Sequence, residues 1–169
     1  SKEWPVQLIA RSTTAVDAAN YFGVCSTANG IQSPPRLSGG LDLSFASVGT
    51  ASASSAGYAT SFFSSAASSM KWQARLAWDS PQGKVALIWP DLSKVPVDYN
   101  LYLTDLSTGV RTSMRHQTQY SFDSGQTAGE RVFTLEASLR SSAGLQVTAM
   151  SVSQTGSGAQ IVFTLSRDA

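Results

Sequence analysis

KWQARLAWDSPQGKVALIWPDLSKVPVDYNLYLTD, residues 71–105, is the stretch whose reading decides the fold. Trp72, Ala74, Leu76 and Trp78 alternate with Lys71, Gln73, Arg75 and Ala77. A period of two with polar residues on one side predicts a half-buried strand. Asp79-Ser80-Pro81-Gln82-Gly83 then predicts a reversal, because Pro81 presets φ and Gly83 tolerates positive φ. Val85, Leu87 and Trp89 share the next face, and Ala86 and Ile88 point the other way, so this strand is expected to be central and covered on both sides. Pro90 and Pro96 cannot donate to a ladder, which makes 90–97 a connection. Tyr99, Leu101 and Leu103 resume the alternation before the turn at Asp105-Leu106-Ser107-Thr108-Gly109.

Outward from this stretch the same grammar repeats. A first strand runs over 4–11, with Trp4, Val6, Leu8 and Ala10 on one face, and Pro5 argues for an edge position or a start after it. Residues 17–23 predict a helical turn or an irregular loop, and 26–40 a loop broken by Asn29-Gly30 and Pro34-Pro35. Strands follow at Leu41, Leu43 and Phe45, at Tyr58, Thr60 and Phe62, at 110–114, at 120–122 and at 131–139. Residues 46–57 and the Ser/Ala run 64–69 read as polar connections that could carry O-linked sugar on a secreted chain. Short strands, Gly and Pro turns and no long helical period predict an all-β, antiparallel β-sandwich of immunoglobulin-like or jelly-roll-like kind over 1–140. An extra C-terminal β-hairpin is expected in 141–169, from strands 145–153 and 159–165 around Thr155-Gly156-Ser157-Gly158.

Of the 169 residues, 42% are apolar, enough for a real core, and 14% are charged, against about 25% in an ordinary domain. A net charge of +1 offers no field to recruit nucleic acid or an anionic membrane. No apolar run is long enough to insert in a bilayer. The single Cys25 excludes an internal disulfide, and its neighbours Phe22 and Val24 favour its burial. The start at Ser1 rather than Met points to a removed leader or a larger parent.

Candidate chemistry is sparse. His116 is the one histidine, with Asp98, Asp105 or Asp123 available to orient it, but no serine sits in a Gly-x-Ser-x-Gly elbow and Arg115-His116-Gln117 reads as a solvated turn. Asp17, Asn20 and Asn29 offer a few oxygens to a cation, short of a calcium loop, so a hydrogen-bonding role is expected for Asp17. No enzyme activity and no cofactor is expected. Trp4, Trp72, Trp78 and Trp89 alternate with apolar residues and read as core. Tyr102, out of phase with Leu101 and Leu103, is the aromatic expected to be exposed and available to a glycan.

WPVQLIA, DAANYFGVCSTANGIQSPPR, VALIWPDL, VPVDYNLYLTDLSTG and QYSFDSG…GERVFTLEASL together resemble a β-sandwich module of large secreted and cell-surface bacterial proteins. VTAMSVSQTGSGAQIVFTLSRDA is similar to the first two strands of the immunoglobulin-like module of the flagellar hook cap, whose further strands do not follow here. Ile31-Gln32-Ser33 stand where that loop often carries acidic residues. The resemblance implies a non-catalytic extracellular structural protein. The expected function is assembly into a surface filament or layer through terminal β-strand pairing with copies of itself or neighbouring β-domains. Val6 and Leu8 on the first strand and Ile161, Phe163 and Leu165 on the last form the expected interface, because unpaired edge strands template pairing. The alternative is a carbohydrate-binding or adhesive module of a secreted protein, with Tyr102 as its platform.

Overall fold

A computed structural model describes residues 2–27, 31–34, 38–47 and 57–140, and the backbone of 146–155 and 158–166. The chain divides into two compact units, Ser1–Leu139 and Arg140–Ala169. No helix occurs among the described residues.

The first unit is a β-sandwich of two five-stranded sheets. One sheet runs in the order β4 (Thr60–Phe63), β2 (Val16–Val24), β1 (Trp4–Arg11), β6 (Lys84–Ile88), β9 (Gln119–Asp123). The other runs β3 (Leu41–Phe45), β5 (Ser69–Trp78), β10 (Gly129–Leu139), β7 (Tyr99–Asp105), β8 (Arg111–Ser113). All pairings are antiparallel except β2 with β4.

Strand alternation sends every second side chain inward. From β1 come Trp4, Val6, Leu8 and Ala10, and from β5 Trp72, Ala74, Leu76 and Trp78, all buried. Aromatic rings lock the two sheets together: Phe22 and Trp72 lie 5.1 Å apart between centroids, Trp4 and Trp72 5.8 Å, and Phe122 and Phe133 5.9 Å. All four tryptophans are core residues, as their phase predicts.

Three expectations are corrected. First, β6 is not covered on both sides, and the reversals on either side of it are crossings between the two sheets. β5, β6 and β7 lie in alternate sheets, so the chain crosses the sandwich at each turn. Gln82 explains the first crossing. It is 3% exposed and wedged beneath the turn, its amide donating to Gly39 O (3.2 Å) and Ser80 O (3.1 Å) and its Oε1 accepting from Ser12 Oγ (2.9 Å). A hairpin turn would leave that side chain in water. On β6 only one face is sealed, and Ala86 and Ile88 are half-buried.

Second, β1 is no edge strand. It is the middle strand of its sheet, bonded to β2 and β6, and Val6 and Leu8 are 0% exposed. Pro5 is tolerated opposite Gly23, where the main chains lie so close that a Cβ on Gly23 (φ +135°) would sit 2.2 Å from Trp4 O. Third, 17–23 belongs to β2 rather than to a helical turn or loop. The polar residues that disguise it are satisfied locally: Asp17 accepts from Asn20 Nδ2 (2.6 Å) and from the Leu43 N–H (2.8 Å), which ties β2 to β3. That is the hydrogen-bonding role expected of Asp17.

The second unit is the hairpin of β11 (Gln146–Thr155) and β12 (Gly158–Ser166). Asn29, Pro35, residues 48–56, 141–145 and the turn residues Gly156 and Ser157 lie outside the described residues.

Candidate functional site

Among the described residues the hairpin is a sheet of two strands with no third strand paired to it, and an isolated hairpin is marginal in water. Its register pairs Val147 with Leu165, Met150 with Phe163 and Val152 with Ile161. Residues directly opposite share a face. A bulge between Val147 and Ala149 shifts the phase by one, so the three-residue spacing from Val147 to Met150 still keeps both on the same side. The result is one stripe of six apolar positions, of which the sequence pattern alone showed Ile161, Phe163 and Leu165. From Gln146 to Ser166 no residue is charged, so the Lys or Glu that commonly blunts an edge is missing.

The sandwich has four outer edges, and they are not alike. β3 is closed: Leu43 N–H is taken by Asp17, and Phe45 exchanges bonds of 2.7 and 3.0 Å with Tyr58. The start of β4 is flanked by 31–33, with Ala59 N–H donating to Ile31 O at 2.7 Å and Ile31 N–H to Thr60 Oγ1 at 2.8 Å. β8 is three residues long, and its Ser113 carbonyl accepts from the N–H of His116 and of Gln117. Among the described residues β9 carries no such cover. Trp89 N–H donates to Thr118 O and Ser124 N–H to Gly83 O, which fixes the alternation of the β6–β9 ladder. Tyr120 and Phe122 therefore bond to β6, and the backbone groups of Gln119 and Ser121 face outward without a described partner.

Beside β9 lies a polar cluster that the sequence reading missed. Asp105 is fully buried at the end of β7. Its Oδ2 accepts from Tyr120 Oη (2.8 Å) across the sandwich and from Arg131 Nη1 (2.6 Å), and its Oδ1 from the Ser107 N–H (2.8 Å). Burial on its own would raise the carboxyl, but the bonds from Tyr120 and Ser107 and the Arg131 guanidinium outweigh it and hold the group below the usual aspartate range. Burial and then the neighbouring Asp105 raise the Tyr120 phenol, against the opposing pull of Thr108 and Arg131. The turn after Asp105 exposes Leu106 and Val110. An aspartate ending an alternating apolar strand was the available signal.

Tyr102 does point outward from β7, but it is half-buried and the Arg111 guanidinium sits 3.9 Å over its ring. Arg111 also pairs with Glu136 (3.2 Å), which in turn holds Lys71 (2.9 Å). One ring face of Tyr102 is thus committed to its own neighbour. His116 is exposed in the turn between β8 and β9, at the rim of a hollow of about 370 Å³ floored by Trp89 and Met114. Trp89 Nε1 is spent on Met114 O (2.9 Å) and Gln117 O (2.6 Å), and Arg115 binds Tyr99 O (2.8 Å) and Pro96 O (2.6 Å). Cys25, expected in the core, is half-exposed with Sγ 3.8 Å from Thr27 Oγ1, because β2 ends one residue before it. Among the described residues no three of His, Cys, Asp and Glu are grouped to hold a metal ion, and no helix is long and apolar enough to cross a membrane. No family model, curated protein or solved structure matches the chain.

Proposed function

We propose that this chain is a non-catalytic, extracellular structural subunit or module of a bacterial surface filament or layer, assembled by β-strand pairing through its C-terminal hairpin. The observation that carries this reading is the hairpin itself: a two-stranded sheet that no third strand joins among the described residues, uncharged from Gln146 to Ser166, with six apolar positions in its register. Burial is worth about 1.5–3 kcal/mol per such side chain. Six reach the scale of the roughly 4–15 kcal/mol that association costs, where Ile161, Phe163 and Leu165 alone sit at its lower end.

Val6 and Leu8 take no part in this interface, since the sandwich core already uses them. The extracellular setting rests on the resemblance of the loop and strand motifs and on a low-charge, Ser- and Thr-rich surface. The glycan-binding alternative loses support from the Arg111 guanidinium over Tyr102. The test is the mass of the chain in solution by light scattering. The full chain is expected to form oligomers or fibres, and a chain ending at Leu139, which keeps the buried residues described for the sandwich, is expected to be monomeric. Identical masses for the two would end the strand-pairing reading.

A further inference from the structure

We infer that the outer edge of β9 is the acceptor for that pairing, and that its occupant is a hairpin strand from a second copy of this chain. The inference rests on the strand-pairing reading above and goes further by naming the surface and the partner. Among the described residues β3 is closed by Asp17 and Tyr58, the start of β4 is flanked by 31–33, and β8 is three residues long with its Ser113 carbonyl bonded in the turn that follows. Among the described residues β9, five residues long against four in β4 and three in β8, presents the longest row without a described partner, which includes the N–H and C=O of Gln119 and Ser121, and an added strand completes such a row.

The chemistry of donor and acceptor agrees. β9 spans five residues and β12 nine, so a hairpin strand can cover the edge along its whole length. Gln119 and Ser121 are uncharged, as is the hairpin from Gln146 to Ser166, so no like-charge contact opposes docking, and the one charge on β9 is the exposed Asp123 at its end. The inward side chains next to the edge are Tyr120 and Phe122, and the turn tied to Tyr120 through Asp105 exposes Leu106 (53%) and Val110 (48%). An arriving strand that turns Ile161, Phe163 and Leu165 toward the core side extends that apolar flank, while Gln160, Val162 and Thr164 fall on the outer face beside Gln119, Ser121 and Asp123. Each chain then offers one donor hairpin and one acceptor edge at different places. Two copies can then exchange hairpins reciprocally and close as a pair, and copies that do not close in this way form a ring or a filament.

The test uses the full chain and two substitutions at one outward backbone position. Ser121→Pro deletes the outward N–H without touching the β6 ladder, and an edge strand tolerates proline there. Ser121→Lys leaves the backbone intact and adds an edge charge. Both are expected to weaken self-association at least tenfold in concentration-dependent light scattering while the melting transition of the sandwich persists. Phe163→Glu on the donor strand is the companion variant. If Phe163→Glu disrupts assembly and Ser121→Lys leaves it unchanged, the β9 assignment is overturned and the hairpin reading stands. If neither changes the mass, or if the parent chain is monomeric, the strand-pairing reading falls as well. Should Ser121→Pro unfold the sandwich, Ser121→Lys alone decides.

Discussion

Arg131 places Nη1 2.6 Å from Oδ2 of Asp105, a carboxylate with no exposed surface, and Cζ of the same guanidinium lies 4.2 Å over the Phe122 ring. One side chain thus joins β10 to the end of β7 and to β9 in the opposite sheet, at the flank where we place the acceptor edge.

Acid should loosen that flank first. The folded Asp105 carboxyl is held below its free value of about 3.9. Its contribution is therefore complete above that value and is lost as pH falls through the lower folded value. At the alkaline end the sign reverses for Tyr120: its raised phenol stabilises below about pH 10 and ceases to do so as pH rises through the folded value. Asp105→Asn strands the Arg131 charge, and a broken buried pair costs about 3 kcal/mol or more. Urea unfolding against pH should show the variant less stable at neutral pH, with the gap narrowing below pH 4. A constant gap across the acid range would refute the assignment.

Gly23 tests the close approach of β1 and β2. Gly23→Ala puts a Cβ 2.2 Å from the Trp4 carbonyl at a φ of +135° that alanine rarely adopts. Strain alone costs about 1–3 kcal/mol, and the contact adds to it. The variant should melt many degrees lower or fail to fold. An unchanged melting temperature would mean that the two strands are not so placed.

Trp89 holds the β8–β9 turn by its indole N–H. Trp89→Phe keeps most of the ring and removes the donor to Met114 O and Gln117 O. A buried acceptor left without its donor costs about 1–3 kcal/mol. Amide exchange should quicken at His116 and Gln117 more than in β5 or β10, and a uniform effect would count against a local role.

Tyr102 and Arg111 lie on the outer face of their sheet, where pairs are screened. Arg111→Ala loses one cation–π contact and one exposed ion pair, each worth about 0.5–1 kcal/mol at most. Unfolding should shift by about 2 kcal/mol or less. The same protein on a glycan array tests the adhesive alternative: binding that vanishes in Tyr102→Ala with the fold intact would revive it.

The alternation of single strands was legible because water sorts side chains one by one. Trp72, Ala74, Leu76 and Trp78 declare their face without reference to any partner. Which strand lies beside which is a property of pairs, and nothing in Asp79-Ser80-Pro81-Gln82-Gly83 separates a hairpin from an arch until Gln82 is seen buried among Gly39, Ser12 and Ser80. β2 was hidden for a related reason: Asp17 and Asn20 look like loop residues until each is found bonded to the other and Asp17 to Leu43. Pro5 misled because an absent N–H suggests an edge, whereas it stands where the ladder does not call on it. Of the proposed assembly surface, the apolar pattern of the hairpin could be read directly. The β9 edge could not, because Gln119 and Ser121 are ordinary residues whose meaning lies in what fails to cover them.

The placement of β10 carries a consequence for biosynthesis. It is the last strand of the sandwich to leave the ribosome, yet it occupies the centre of its sheet, between β5 and β7. Until residues 129–139 emerge, the β3–β5 ribbon and the β7–β8 ribbon have nothing to join them, so a nascent chain must keep half its core waiting. Closure then brings together Leu76 and Arg131, 55 positions apart in a chain that folds by distant pairings, and such topologies fold slowly. The hairpin, uncharged from Gln146 to Ser166, follows behind, so it leaves the ribosome only when every strand of the sandwich has been made.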